Sequence, residues 1–399
     1  MTAGSRGDVA PFTGLGHGLV HAGHEVTLVT HARFEPLVAG SGMAFHPLPV
    51  DPREELESAR GRGLHRSGTG AGKLLRVVSM ARSLVGRMAD DLEAAARVSD
   101  LLLLAASVAP LGHTVADGLG LPRLELALQP IAPTREFAPP MLGGGSYGAL
   151  GNRLAGRGVE WAVERVFAPV LPQVRARLGV TGDQRAPAPV LHGFSPSVVP
   201  RPRDWPADLA VTGYWWPYDR DTRLPPELRE FLAAGPPPVY VGLGSATVPD
   251  PAGLSTQVVR ALRRAGLRGV IQRGWADLAA HGDDMLTVDE VPHALLFPET
   301  AAVVHHCGAG TTAAGLRAGV PAIPVPIQFD EGFWAERLVR LGVAPRALPL
   351  RRLTTDTLTE ILVRATREPR FRRRAEKLGE RVRGENGVGH VVEAVGRLT

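Results

Sequence analysis

The strongest chemical signal in the sequence is the run HHCGAGTTAAG, which follows an apolar stretch of strand length and opens a helix-like stretch. Gly308 and Gly310 would let an anion approach the backbone, and free N–H groups at the helix start would point at it. Thr311 and Thr312 add hydroxyl donors, and His306 adds an imidazole donor. This combination favours a cradle for a diphosphate over a plain strand-to-helix turn with a threonine cap.

The same turn also satisfies a second motif. Gly308-x-Gly310-x-x-Ala313, with Asp330 after a later strand, has the spacing of the dinucleotide fingerprint, in which an acid about 20 residues further on binds a ribose. Because spacing alone does not separate the two motifs, an NAD-dependent oxidoreductase stays open as an alternative. A dehydrogenase more often carries this motif near its N-terminus.

A second candidate region lies at the start of the chain, in the turn Gly4-Ser5-Arg6-Gly7-Asp8, and Gly244-Ser245 forms a similar turn later. On residue type alone, Asp8 after a glycine is typical of a helix N-cap. Only three residues precede Gly4. The buried strand that normally feeds such a turn is therefore expected to be missing or cut short.

Strand-length apolar runs alternate with turns and amphipathic helical stretches, which predicts parallel α/β architecture. The runs of the first part are residues 25–30, 44–48, 101–105 and 123–128. Those of the second part are residues 239–243, 269–273, 285–288, 301–305 and 322–325. We therefore predict two facing Rossmann-like domains with a cleft between them.

The domain boundaries follow from composition. We assign residues 1–200 to the N-terminal domain and residues 239–375 to the C-terminal domain. Residues 201–238 are rich in proline and predict an irregular interdomain linker. Residues 376–399 predict a final helix that crosses back to the first domain.

Composition excludes several classes of protein. The 399 residues are 44% hydrophobic and 21% charged, which suits a folded chain of about two domains. Cys307 is the single cysteine, so an internal disulfide or a cysteine-rich metal site is excluded. The net charge is only +5 and the arginines are scattered among acids, which argues against a nucleic-acid partner. Without a long apolar run or a secretory signal, we expect a cytoplasmic protein without stable membrane insertion.

Three ordered blocks resemble one family. They are the opening turn with Asp8 and Pro11, the segment Val288-Asp289-Glu290-Val291-Pro292-His293, and the stretch from His305 through Pro321 to Asp330-Glu331. Together they resemble the nucleotide-sugar glycosyltransferases with two facing Rossmann-like domains, in the subgroup of sterol glucosyltransferases and actinomycete antibiotic glycosyltransferases. The resemblance covers nearly the whole chain. It implies a metal-independent, inverting transfer of a hexose from a UDP- or dTDP-sugar, which is a co-substrate rather than a cofactor.

The resemblance also assigns roles to residues. Asp8 is implied as the general base that takes the proton of the acceptor hydroxyl. The diphosphate is expected against Ser245 and the turn from Gly308 to Thr312, with His306 reaching a phosphate oxygen. Prepositioned donors would stabilise the charge that develops on the leaving diphosphate without a metal ion.

Further donor contacts are implied by the same resemblance. The backbone around Val291 is expected to bind the nucleobase, with Trp275 nearby. Asp330 and Glu331 are expected to bind sugar hydroxyls. Glu331 departs from the glutamine usual in the family, and an ionised carboxylate cannot donate, so a donor other than the ordinary glucose nucleotide is an open alternative.

The acceptor is the least determined partner. Residues 53–82 and 130–159 are loop-rich, and Gly143-Gly144-Gly145 predicts a flexible segment beside an apolar one. An apolar and flexible acceptor surface favours a lipophilic acceptor such as a polyketide, macrolide, sterol or terpenoid alcohol. No individual acceptor-binding residue is assigned. A relative that binds nucleotide sugar without catalysis is the remaining alternative.

Overall fold

The computed structural model describes residues 1–49, 85–181, 188–220 and 223–399. Within these ranges the chain forms two α/β halves, each built on parallel strands. The predicted acceptor segment 53–82 lies outside the described residues.

The first half contains two groups of parallel strands. β1 (Thr27–His31) pairs with β2 (Ala44–Leu48), and the second group has the order β3-β4-β5-β6. Its members are β3 (Leu102–Ala105), β4 (Arg123–Ala127), β5 (Val190–His192) and β6 (Leu209–Val211).

Met1 and Thr2 lie between these two groups of strands. The Thr2 amide donates to the Val29 carbonyl at 3.0 Å, and the Ala105 amide donates to the Met1 carbonyl at 2.9 Å. The Met1 amino group donates to the Leu103 carbonyl at 2.8 Å, and burial lowers the pKa of this amine to about 5. The turn that follows Thr2 therefore emerges at the carboxyl edge of the strands, between the two groups.

Six helices are described in the first half. They are α1 (Arg6–His21), α2 (Glu35–Val38), α3 (85–96), α4 (Ala109–Leu119), α5 (Gly148–Phe167) and α6 (Leu171–Arg177). The described residues of both halves contain no helix that is long and apolar enough to cross a membrane. The expectation that residues 130–159 are loop-rich is wrong beyond residue 147, because α5 begins there.

The second half has one five-stranded parallel sheet with the order β11-β10-β7-β8-β9. The strands are β7 (Val239–Gly242), β8 (Gly269–Gln272), β9 (Met285–Val288), β10 (Ala302–His305) and β11 (Ala322–Pro324). β7 and β10 are neighbours although β8 and β9 lie between them in sequence. Ligands of such sheets bind at this kind of switch point, at the carboxyl ends of the strands.

The helices of the second half cover both faces of its sheet. They are α7 (Pro226–Ala233), α8 (Pro251–Ala265), α9 (His293–Leu296), α10 (Ala309–Ala318), α11 (Glu331–Arg340), α12 (Thr355–Arg367) and α13 (Pro369–Arg383). The last helix, α14 (Gly387–Gly396), contributes Val391, Ala394 and Val395 to the core of the first half. The chain thus crosses back after α13, later than residue 376, where we placed the start of the final helix.

The proline-rich stretch 201–238 is not irregular throughout, which corrects our prediction. β6 lies within it and pairs with β5, and α7 lies within it and buries Leu228 against the second half. Prolines flank these elements, and Pro226 opens α7, where the missing N–H costs nothing.

A shared hydrophobic cluster joins the two halves. Phe137 and Trp205 of the first half belong to the same cluster as Phe333 and Trp334 of α11. The ring centroids of Phe137 and Phe333 are 5.4 Å apart. This cluster fixes α11, and with it Asp330, against the first half.

Candidate active site

Two turns of the second half are expected to bind the sugar donor, the Gly244-Ser245 turn after β7 and the turn from His306 to Thr312 after β10. They emerge side by side because Gly242 of β7 is the register partner of His305 of β10. The imidazole of His306 lies between these turns. A Cβ atom added at Gly244 would lie 2.7 Å from Cε1 of His306, and one added at Gly308 would lie 2.5 Å from its Nε2. Glycine is therefore required on both sides of this imidazole.

The start of α10 has donors that the described chain does not satisfy. Gly308 is the N-cap and offers no side chain, and the first helical bond runs from the Thr312 amide to the Gly308 carbonyl at 2.9 Å. The amides of residues 309–311 make no hydrogen bond within the described residues. Such amides, together with the helix dipole, form an anion-binding site.

Two buried side-chain atoms at this turn also have no hydrogen-bond partner in the described structure, namely Nδ1 of His306 and Oγ1 of Thr312. Burial lowers the pKa of His306 to about 4, so the imidazole is neutral at pH 7. A neutral imidazole donates one N–H. Unpaired buried polar atoms are costly, and an oxyanion at this turn would pair them.

The residues behind the turn hold it in shape. His305 is buried, and its Nδ1 accepts the Cys307 amide at 3.2 Å. Cys307 is also fully buried and adopts a left-handed backbone with φ of 72°. A non-glycine residue in this conformation costs free energy, and such strain concentrates at functional sites.

Ser245 and Trp275, both expected to bind the donor, lie at the Gly244 turn. The Trp275 amide donates to the Gly244 carbonyl at 3.0 Å, and Ser245 is half-buried. The guanidinium carbon of Arg33, from the first half, lies 5.4 Å from the centre of the Trp275 ring. Trp275 is thus held between the donor turn and the first half.

Val291 offers only its backbone to a ligand. Its side chain is buried in a cluster with Val270 and Leu296. The neighbouring Glu290 accepts a hydrogen bond of 2.7 Å from Arg6 of the first half. This ion pair brings the segment before α9 up to the opening turn of α1.

Asp330 and Glu331 have different surroundings. Trp334 donates through Nε1 to Oδ2 of Asp330 at 2.8 Å, and the backbone amide of Asp330 also bonds to the carboxylate. Glu331 is only 6% exposed, and its Oε2 accepts the amides of Ile327 at 2.5 Å and Gln328 at 2.7 Å. Glu331 therefore holds the turn before α11, a role that the sequence analysis did not foresee.

Ser5, not Asp8, is the N-cap of α1, which corrects the expectation from residue type, and Asp8 is the third helical residue and closes a capping box with Ser5. Its Oδ2 accepts the Ser5 amide at 2.8 Å and the Ser5 hydroxyl at 3.0 Å, and Oδ1 has no partner in the described chain. Desolvation raises the pKa of Asp8, and the bonds from Ser5 lower it in part. The residue nevertheless keeps solvent-exposed surface.

Sequence reasoning missed two side chains that hold the Asp8 turn. Oγ of Ser107 accepts the Ala3 amide at 3.3 Å, and Nε2 of His31 accepts the Gly4 amide at 2.9 Å. The only sequence signal for them was position, because His31 ends β1 and Ser107 follows β3 at the carboxyl edge of the strands.

Comparisons with known proteins agree with this architecture. Residues 1–135 match the glycosyltransferase family 28 N-terminal domain. Residues 270–396 match the erythromycin biosynthesis protein CIII-like C-terminal domain. Two solved structures of similar fold are the calicheamicin glycosyltransferase CalG4 (TM-score 0.71, 18% identity, covering 99% of this chain and 96% of that one) and the Streptomyces sp. SF2575 glycosyltransferase SsfS6 complexed with thymidine diphosphate (0.68, 22%, 99% and 98%).

Fold and site thus define a glycosyltransferase with two Rossmann-like domains, the GT-B class. The chain is 36% identical to the O-mycaminosyltylonolide 6-deoxyallosyltransferase of Streptomyces fradiae, over 97% of this chain and 94% of that protein. It is 32% identical, over 99% of its length, to the sterol 3-beta-glucosyltransferase of Candida albicans, of which it spans 27%. The chain belongs to the glycosyltransferase family that includes these proteins, which confirms the family predicted from its three sequence blocks.

Proposed function

We propose that the protein transfers a hexose from a UDP- or dTDP-sugar to a hydroxyl of a lipophilic natural product, with inversion at the anomeric carbon. One observation carries this proposal. Arg6, two residues before Asp8 in α1, donates to Glu290 of the second half at 2.7 Å, and the charge of Asp8 is also a minor cause, after burial, of the raised pKa of Asp330. The candidate base and the donor side therefore lie close enough to share one substrate pair.

In the proposed reaction, the carboxylate of Asp8 accepts the proton of the acceptor hydroxyl as that oxygen attacks C1 of the sugar. The bond between C1 and the diphosphate oxygen breaks, and the diphosphate leaves with the electron pair. Attack from the face opposite the leaving group inverts C1, so an α-linked donor yields a β-glycoside.

The charge on the leaving diphosphate is stabilised by the start of α10. The amides of residues 309–311, the helix dipole, the imidazole of His306 and the hydroxyl of Thr312 are in place before the bond breaks. Because these donors already supply positive potential, we expect the transfer rate to be unaffected by EDTA.

The donor hexose and nucleobase are assigned to the residues around this turn. The Asp330 carboxylate is assigned to accept from a sugar hydroxyl, and Trp275 and the Val291 backbone are assigned to the nucleobase. A dTDP-sugar agrees with the thymidine diphosphate complex of SsfS6. A lipophilic acceptor agrees with the sterol and O-mycaminosyltylonolide transferases among the relatives.

The decisive experiment is a transfer assay with UDP- and dTDP-hexoses and a panel of sterol, macrolide and polyketide alcohols, read by the mass gain of one sugar. We expect Asp8→Asn to lower kcat by ~10² or more and to leave nucleotide affinity unchanged, because asparagine caps but cannot take a proton. Asp356→Asn is the matched control, since Asp356 also lies in the first turn of a helix.

Three results would overturn parts of the proposal. Turnover in Asp8→Asn close to that of the natural protein removes Asp8 as the base. Nucleotide-sugar binding without transfer to any alcohol indicates a non-catalytic relative. Transfer only to polar acceptors excludes the lipophilic class.

A further inference from the structure

Three consecutive amides of the turn before α1 each donate to a side chain. The amides of residues 3, 4 and 5 donate to Oγ of Ser107 at 3.3 Å, to Nε2 of His31 at 2.9 Å and to Oδ2 of Asp8 at 2.8 Å, respectively. The turn is thus held from two neighbouring strand ends and by the candidate base itself.

The middle residue of this turn touches the carboxylate directly. Gly4 has a φ of 143°, and a Cβ added there would lie 2.4 Å from Oδ2 of Asp8. The carboxylate therefore lies close to the Gly4 backbone, and because Oδ2 also accepts the next amide, that of Ser5, a shift of this turn would displace the carboxylate. The position of the Gly4 peptide therefore sets the position of the Asp8 carboxylate.

His31 is placed to hold the Gly4 peptide, because its Nε2 accepts the Gly4 amide. It ends β1, is 3% exposed, and packs with a ring-centroid distance of 6.3 Å against Phe34. Because Nε2 accepts the Gly4 amide, the proton of the neutral ring lies on Nδ1. The imidazole is a buried hydrogen-bond acceptor at the end of a strand.

We infer that His31 is a positioning residue for glycosyl transfer, holding the Gly4 peptide so that the Asp8 carboxylate stays in place for the acceptor hydroxyl. This inference rests on the proposed role of Asp8 as the base. His31 itself contacts no substrate and transfers no proton. Misplacing a base by about 1 Å is enough to slow such a reaction substantially.

The test compares His31→Leu, which removes the acceptor, with His31→Gln, whose amide oxygen reaches about as far as Nε2. We expect His31→Leu to lower kcat by about 10- to 100-fold with an unchanged KM for the donor, because the donor binds to the other half. His31→Gln is expected to recover most of that kcat. UDP and dTDP affinity and circular dichroism confirm that each variant is folded.

The matched control is His192, a second buried histidine at the end of a strand in the same half. Its Nδ1 lies 3.0 Å from the Ala210 carbonyl, and its ring stacks on Trp205 at 4.5 Å. We expect His192→Leu to lower the melting temperature by a similar amount while retaining kcat. If it loses as much kcat as His31→Leu, or if His31→Gln does no better than leucine, His31 is only structural and the inference is wrong.

A double-mutant cycle separates this inference from the proposed function. In the Asp8→Asn background, His31→Leu should cause no further loss of kcat, because the group that it positions is gone. If Asp8→Asn is inactive while His31→Leu is fully active, the role of His31 is wrong and the role of Asp8 as the base stands. Asp8→Asn retaining full activity overturns the proposed base instead, and the role of His31 with it.

Discussion

Asp8 and Asp330 belong to opposite halves, yet after burial itself the negative charge of Asp8 is the factor that raises the pKa of Asp330. This coupling bears on the pKa values of both carboxyl groups. Desolvation also raises the pKa of Asp8 above its ordinary value. The negative charge of one carboxylate therefore disfavours ionisation of the other.

The first prediction concerns the pH dependence of transfer. A general base must be ionised, so the rate rises with pH through the pKa of Asp8, which lies above that of an ordinary aspartate. The Ser5 hydroxyl stabilises the ionised form, so Ser5→Ala raises this pKa and moves the acidic limb of kcat/KM to higher pH. The rates of the two proteins converge at pH 8. Ser99→Ala, whose hydroxyl bonds only the Ala95 carbonyl, is the control.

The same raised pKa predicts a stability effect with a definite sign. A carboxyl whose pKa is raised on folding contributes most to stability at low pH, and that contribution is lost as pH rises through its folded pKa. At pH 7 the ionised Asp8 therefore lowers the free energy of unfolding. Asp8→Asn should unfold at a temperature equal to or above that of the natural protein, measured by calorimetry. A fall of several degrees would show that its capping bonds outweigh desolvation.

The second prediction tests the anion site with two glycines of one helix. A Cβ added at Gly310 or at Gly315 would have no neighbour within 4 Å, so both alanine variants should fold. Gly310→Ala places a methyl group beside the free amides of α10 and should weaken dTDP or UDP binding by about 10- to 100-fold, the value of a bond to a charged group. Gly315→Ala, five residues further along the same helix, should bind normally by calorimetry. Equal affinity of both variants would place the diphosphate elsewhere.

The turn before α10 could be predicted because the residues that form it are adjacent in the sequence. The strand, the glycines and the helix that bears Thr311 and Thr312 follow one another directly, and strand Ala44–Leu48 was predicted with its observed bounds. In contrast, β5 and β6 have three residues each, too few for periodicity to identify them among prolines.

Other parts of the site depend on contacts between distant residues, which no short pattern contains. Glu331 was expected to bind sugar hydroxyls because the family resemblance pairs it with Asp330 in that role. Its inward orientation depends on the turn that presents the Ile327 and Gln328 amides. The hold of His31 on Gly4 likewise requires β1 to lie beside the first residues of the chain.

The third prediction follows from the orientation of Glu331. A glutamine at this position can still accept the two amides but loses the charge, so Glu331→Gln should lower the free energy of unfolding by about 1 kcal/mol. The preference among UDP- and dTDP-hexoses should stay the same, measured by competition in the transfer assay. Asp330→Asn, in contrast, should raise the KM for the donor. A new hexose preference in Glu331→Gln at unchanged stability would make Glu331 a donor ligand after all.

The fourth prediction concerns the contact between the first half and α11. The predicted flexible glycine segment is in fact partly packed there, because a Cβ added at Gly144 would lie 2.5 Å from the Gly332 carbonyl oxygen and 2.7 Å from Oε2 of Glu336. A Cβ added at the adjacent Gly145 would meet nothing within 4 Å. The two glycines therefore form a matched pair that differs only in this contact.

Gly144→Ala must push the first half away from the helix that begins beside Asp330, and overpacking of this kind costs about 1–3 kcal/mol. Because the base and the sugar contacts lie on opposite halves, we expect kcat/KM for the acceptor to fall about tenfold or more, with nucleotide affinity retained. Gly145→Ala should match the natural protein in both assays. If Gly144→Ala loses stability but keeps its full kcat/KM, the contact supports the fold without setting the distance between Asp8 and the donor sugar.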